Sequence, residues 1–153
     1  MINRRKAREA ALRSLYAMEV GSNSRAEVTQ QIVKKLLVDD TDGISFAKEV
    51  VLHTSENKSD LDEFIADHIK NWEVSRLAIL DKLILRMAIT EFIHFEQIPT
   101  KVTINEAIEL AKSYSTRKSG TFVNGILDAI LNDLTEKGRI VKKGRGLIET
   151  SRN

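Results

Sequence analysis

Four cations crowd five positions near the start of the chain: Arg4, Arg5, Lys6 and Arg8. The stretch has helical periodicity. Asn3 is a good N-cap, and Ala7, Ala11, Leu15 and Met18 form a core stripe in a helix reaching about Val20. Arg5, Glu9, Leu12 and Tyr16 then recur at i, i+4, i+7 and i+11 on a neighbouring stripe. At the helical rise, Arg5 and Tyr16 stand about 16 Å apart along one edge. Guanidinium groups on such an edge suit phosphates, and an exposed tyrosine ring suits stacking on an unpaired base. The alternative for Tyr16 is a ring packed in the core with its hydroxyl at the rim. Cations at a helix N-terminus oppose the macrodipole at a cost of about a few tenths of a kcal/mol each, so their concentration there points to a use in binding.

A second informative stretch runs Lys118-Ser119-Gly120-Thr121-Phe122-Val123-Asn124-Gly125. Two glycines near a helix start weaken it, each by about 1 kcal/mol against alanine, and small residues let a neighbouring backbone come close. Asn124 either ties this helix to a nearby backbone or contacts a ligand. Phe122 either packs inward or stacks on a base.

Catalytic patterns are missing. His53, His68 and His94 are far apart, and none belongs to a pair such as H-E-x-x-H. There is no Gly-rich phosphate loop, nucleophile elbow or dinucleotide fingerprint. His68, one turn from Leu61 and Ile65, reads as a half-buried packing residue, and Trp72 as core. No enzyme, catalytic residue, cofactor or metal is expected.

The elements that must carry these residues are helical nearly throughout. Gly21-Ser22-Asn23 breaks the first helix. Ser24 and Glu27 form a capping box opening a second through Val28, Ile32 and Leu36. A turn at Asp39–Gly43 follows, with Asp42 as cap of a third helix carrying Ala47, Val50, Val51 and Thr54. Ser59 and Asp62 begin a fourth, with Leu61, Ile65, His68, Ile69 and Trp72 inward. From Ser75 to about Phe95 the chain is apolar on almost every side, as befits a helix wrapped by others. Ile98-Pro99 ends it. Thr103 and Glu106 make a capping box for the next helix, Ser115 to Gly120 is a loop, and Ser119 caps the last strong helix, Phe122 to Leu134. The expected fold class is all-α.

Length and composition agree. The chain has 153 residues, 42% apolar and 30% charged, which suits one globular domain over residues 1–137 followed by a flexible basic tail, 138–153. The absence of cysteine excludes disulfides and suits a cytoplasmic protein. No apolar run approaches the length of a membrane span, and no secretory signal is expected. The net charge of +2 conceals its layout: residues 1–13 and 136–153 carry +4 each and the body −6. Such a layout suits a polyanion at the ends and a basic partner on the body, or simply two solvated, solubilising ends.

The sequence resembles the bacterial NusB family in four blocks, in order. They are Arg4-Arg5-Lys6-Ala7-Arg8-Glu9-Ala10-Ala11-Leu12 with Leu15-Tyr16; Ile79 to Ala88 ending in Glu91; Ile98 to Lys112; and Phe122-Val123-Asn124-Gly125-Ile126-Leu127-Asp128. The resemblance implies about seven helices in two small packed bundles. It implies a transcription antitermination factor, not an enzyme, that binds boxA RNA of ribosomal RNA leaders with the ribosomal protein NusE. That assembly joins RNA polymerase and other Nus factors and aids ribosomal RNA maturation. Carried over residue by residue, the RNA face is Arg4, Arg5, Lys6, Arg8, Tyr16 and Phe122, with Arg86 and Lys118; the partner face involves Asp81 and Glu91. Position 90 is Thr where the family often has Tyr, and Thr121 replaces a usual basic residue, although Arg117 and Lys118 stand nearby. Two other readings are the RNA-binding part of a ribosomal RNA cytosine methyltransferase, disfavoured by the lack of a following methyl-donor domain, and a purely protein-binding helical module.

Overall fold

The computed structural model describes residues 2–69 and 73–148, so Trp72 and residues 149–153 lie outside the described residues. The described residues form helices α1 (Arg4–Gly21), α2 (Arg25–Val28), α3 (Lys34–Leu36), α4 (Thr41–Glu56), α5 (Lys58–Ala66), α6 (Ile79–His94), α7 (Thr100–Tyr114) and α8 (Arg117–Glu136), with no strand among them. A π-helical turn, Thr29–Val33, joins α2 to α3. The all-α expectation holds. The chain groups into two compact units, one ending at Asn57 and one beginning at Lys58.

In the first unit α1 packs on α4, with Ala7, Ala11, Leu15, Ala47, Val50 and Val51 buried. Asn3 caps α1 by accepting from the Lys6 amide, and the Ser24–Glu27 capping box closes in both directions. The cap of α4 is Asp40, not Asp42. One Asp40 oxygen accepts from Gly43 N (2.9 Å) and the other from Asn3 N (2.9 Å), so a single carboxylate ties the starts of α1 and α4 together. Those backbone bonds, with Lys6 adding, hold its carboxyl below the ordinary carboxylate value.

In the second unit α6 is the hub. Nearly every residue from Asp81 to Phe92 is buried. Three of its polar residues each reach a different neighbouring helix. Asp81 Oδ2 accepts from Ser119 Oγ on α8 (3.2 Å), and Glu91 Oε1 accepts from Thr103 Oγ1 on α7 (3.0 Å). Arg86 makes a two-pronged pair with Asp62 on α5, at 2.7 and 2.9 Å.

These contacts explain where the element boundaries differ from expectation. Thr103 does not open α7, which starts after Pro99; its hydroxyl is spent on Glu91. Ser119 does not cap α8; Thr116 does, by accepting from Ser119 N, which adds a turn containing Arg117 and Lys118. The hub helix begins at Ile79 rather than Ser75, after a short 3₁₀ turn, Val74–Arg76. α8 ends in a Schellman turn, Gly138 taking φ +69° while Arg139 N bonds Leu134 O and Gly138 N bonds Thr135 O. This turn sends the chain back toward α6. Residues 139–148, expected to trail as a mobile tail, instead meet the end of that helix through Lys142.

Candidate nucleic-acid interface

The first unit presents its cations on α1. Arg4, Arg5 and Lys6 are exposed. Arg8 is not: it is buried, with its guanidinium 5.2 Å from the centre of the Phe46 ring. Arg4 lies over the same ring at 5.7 Å. Phe46 therefore braces two arginines by cation–π contact, and Arg8 is a support beneath the surface rather than a surface contact. Phe46 is a supporting residue that sequence reasoning passes over. Its signal is present all the same, because Gly43, Phe46, Ala47, Val50, Val51 and Thr54 follow one helical stripe. Tyr16 is 41% exposed, which resolves its two readings toward an outward ring. Leu12, placed on the same stripe, is buried, so the stripe borders the core at its middle and is open at its ends.

In the second unit, α8 displays two flanks. Lys118, Phe122 and Gly125 recur at i, i+4 and i+7; Lys118 and Gly125 are exposed and Phe122 half-buried. Gly125 has no packing purpose, since a Cβ there meets nothing within 4 Å. On the other flank Arg117, Gly120, Thr121 and Asn124 line a cleft of about 470 Å³ with Ile108 and Lys112 of α7. The two basic residues that stand near the missing family cation at Thr121 thus point to different flanks, Lys118 to the aromatic one and Arg117 to the cleft.

Three other expected site residues are internal. Arg86 is buried, and Asp62 takes its guanidinium by two bonds, so it is not a surface cation. Glu91 is buried against Thr103 and is not on an open partner face. Asp81 is 8% exposed and accepts from Ser119, yet its Oδ1 has no hydrogen-bond partner among the described residues. His68 is structural: a carbonyl can only accept, so its Nδ1, 2.8 Å from Phe64 O, carries the proton. Its Nε2 lies 3.4 Å from Asp133. Among the described residues no group of three or more metal-ligating side chains converges. No described helix is long and apolar enough to cross a membrane.

Fold and surface together define an all-helical protein with a braced cationic helix edge carrying an outward tyrosine. The NusB family profile matches residues 5–132. The chain is 45% identical over 148 residues to the transcription antitermination protein NusB of Salinibacter ruber, covering 97% of this chain and 92% of that protein. Among solved structures it is similar to T. maritima NusB (TM-score 0.75, 36% identity, 85% of this chain and 92% of that one). It is also similar to a chain in a complex of the antitermination factors NusB and NusE with double-stranded RNA (TM-score 0.78, 25% identity, 85% and 96%). The chain belongs to the NusB family.

Proposed function

We propose that this protein is a transcription antitermination factor that binds boxA RNA of ribosomal RNA leaders together with NusE, within an RNA polymerase complex containing other Nus factors. It acts in the cytoplasm by binding and not by catalysis. The observation that carries the reading is α1: exposed Arg4, Arg5 and Lys6 at one end of the helix, and an exposed Tyr16 further along it. Arg4, held over Phe46, and the neighbouring Arg5 and Lys6 set the register of particular phosphates, and the tyrosine ring takes an unpaired base. The solved complex of NusB and NusE with double-stranded RNA supports the same pairing of protein and nucleic acid. On the second unit, Lys118 and Phe122 are the proposed RNA contacts.

Asp81 is the proposed partner determinant, acting from beneath the surface: its Oδ1 has no donor among the described residues, so its carboxylate charge adds to the field met by a basic ribosomal protein. The acidic body of the chain suits the same partner.

The test is equilibrium binding of boxA-like and scrambled RNA, with and without NusE. A second cationic surface adds phosphate contacts, so NusE should tighten boxA binding by about tenfold or more, roughly 1.4 kcal/mol per factor of ten. Equal affinity with and without NusE contradicts the proposal.

A further inference from the structure

The cleft between α7 and α8 has a charged end and a neutral one. The two helices form a hairpin closed by Ser115 and Thr116. Residues 117, 120, 121 and 124 share one face of α8, and residues 108 and 112 one face of α7. Gly120 fixes the register between them. It is buried, and a Cβ there would stand 3.1 Å from Lys112 Cγ and 3.6 Å from Ile108 Cγ2, so its missing side chain lets the lysine stem lie against α8. Arg117 is one turn nearer the connection than Gly120, and Asn124 one turn further from it. Lys112 and Arg117 therefore belong to the hairpin end of the cleft, and Ile108 and Asn124 to the other.

The two cations are lightly engaged. Arg117 is exposed, and its guanidinium makes no hydrogen bond or ion pair among the described residues. Lys112 meets Glu109 at 3.8 Å, with both side chains about half exposed, and so long a surface pair yields readily to a phosphate. No carboxylate is among the described residues lining the cleft, and the first turn of α8 contains no acid. The volume of about 470 Å³ is that of a small-molecule site. An acidic peptide calls for cations spread along a groove, whereas these are gathered at one end. Beyond them come the Thr121 hydroxyl and the Asn124 amide, which offer donors and acceptors, beside the more buried Ile108 and Gly120. A charged end, a neutral hydrogen-bonding end and an apolar surface between them match a nucleotide. Guanidinium and ammonium take the phosphate, and the base lies over Ile108 with its edge toward the amide.

We propose that the cleft between α7 and α8 binds a nucleotide, with Arg117 and Lys112 on its phosphate. Two sources carry that chemistry, a free nucleotide and one nucleotide of an RNA strand. The site uses none of the α1 contacts and lies on the flank of α8 away from Lys118 and Phe122. Its first test contains no RNA, so its failure and failure of the boxA reading are separate results.

The experiment follows the NMR signals of Gly120, Thr121 and the Asn124 side-chain amide in the isotopically labelled full chain. Cytidine monophosphate at millimolar concentration should move all three, and cytidine, which lacks the phosphate, should move none of them at the same concentration. Arg117→Gln and Lys112→Gln should each weaken the monophosphate about tenfold, the worth of a hydrogen bond to a charged group. Lys137→Gln removes a cation about 30 Å away at the far end of α8 and should leave the affinity within about twofold. A short cytidine oligoribonucleotide that moves the same signals at about tenfold lower concentration identifies an RNA strand as the occupant, and one that binds no tighter than the monophosphate identifies a free nucleotide. An equal response to cytidine and its monophosphate, including none to either, or an Arg117→Gln chain that binds as wild type, overturns the proposal.

Discussion

Replacing Gly125 with alanine should stabilise the protein and weaken its hold on RNA. The residue lies well inside α8, is exposed, and leaves open space where a Cβ would project. Glycine in an exposed helix interior costs about 1 kcal/mol against alanine. With no clash to offset that gain, Gly125→Ala should raise stability by about 1 kcal/mol, or roughly 2–4 °C in melting temperature for a chain of this size. That cost has no return in packing, which fits a bare backbone kept for the proposed RNA contact. Phe122 is three residues before it and Lys118 seven, on the same flank, so an RNA base on the Phe122 ring lies beside the missing side chain. A stacked base is worth about 1–3 kcal/mol, and a methyl group that lifts it partway should cost about tenfold in affinity. Thermal melts and boxA titrations at fixed salt measure the two effects separately. A variant no more stable than wild type refutes the helix argument. An affinity within about twofold of wild type removes the Lys118–Phe122–Gly125 flank from the RNA surface.

Four further outcomes follow from the same contacts. Tyr16→Ala should weaken boxA binding by about 1–3 kcal/mol in titrations, more than it lowers stability in thermal melts, because much of the ring is exposed. Asp62→Ala removes both carboxylate bonds from the buried Arg86 guanidinium and should cost about 3 kcal/mol in urea unfolding, whereas an RNA-contact role for Arg86 would leave stability unaltered. Asp81→Asn keeps an acceptor for Ser119 but removes the charge, so calorimetric titration should show weaker NusE binding with no loss of fold. Lys142 should titrate near 8 by NMR of its ammonium group: burial lowers it from 10.5, and Glu91 and Glu96 only partly oppose this. Between those two values the chain with Lys142 buried holds fewer protons than the chain with residues 139–148 released from α6. The packing of residues 139–148 on α6 therefore strengthens as pH rises through that window and is insensitive to Lys142 below it, and Gly146→Ala, whose Cβ would meet the Glu96 carbonyl oxygen, should return the titration toward 10.5.

Local signals are legible in the sequence. Asn3, the Ser24–Glu27 box and the break at Gly21–Asn23 depend on residues a few positions apart, and all of them form. The all-round apolar helix is equally plain, since its burial follows from composition alone. What the sequence does not disclose is how polar residues pair across long separations. Asp81, Arg86 and Glu91 look like surface features because an acid or arginine in an apolar helix has no local partner. Their partners, Ser119, Asp62 and Thr103, come from three other helices. Thr103 and Ser119 look like caps for the same reason: both hydroxyls reach carboxylates of α6, that of Ser119 while also bonding Ser115 and Thr116. Arg8 and Arg4 both reach Phe46, but only Arg8 is buried there, a difference that the packing of α1 on α4 makes. Lys142 sits in a stretch with three glycines and no apolar period, where nothing in the sequence marks one lysine of several as buried.

The most direct test of RNA recognition by α1 is the ratio of affinities for boxA-like and scrambled RNA, measured with NusE present across a salt series. The variants are Arg5→Ala and the Arg5→Ala/Tyr16→Ala pair, with Lys143→Ala as a cation outside α1. The ratio should fall for both α1 variants and hold for Lys143→Ala. Loss of the Arg5 phosphate contact should also reduce the log–log salt slope by about 0.7, the value for one contact to a single strand. A ratio preserved in the α1 variants, with the slope unchanged, would contradict the assignment of RNA recognition to this helix.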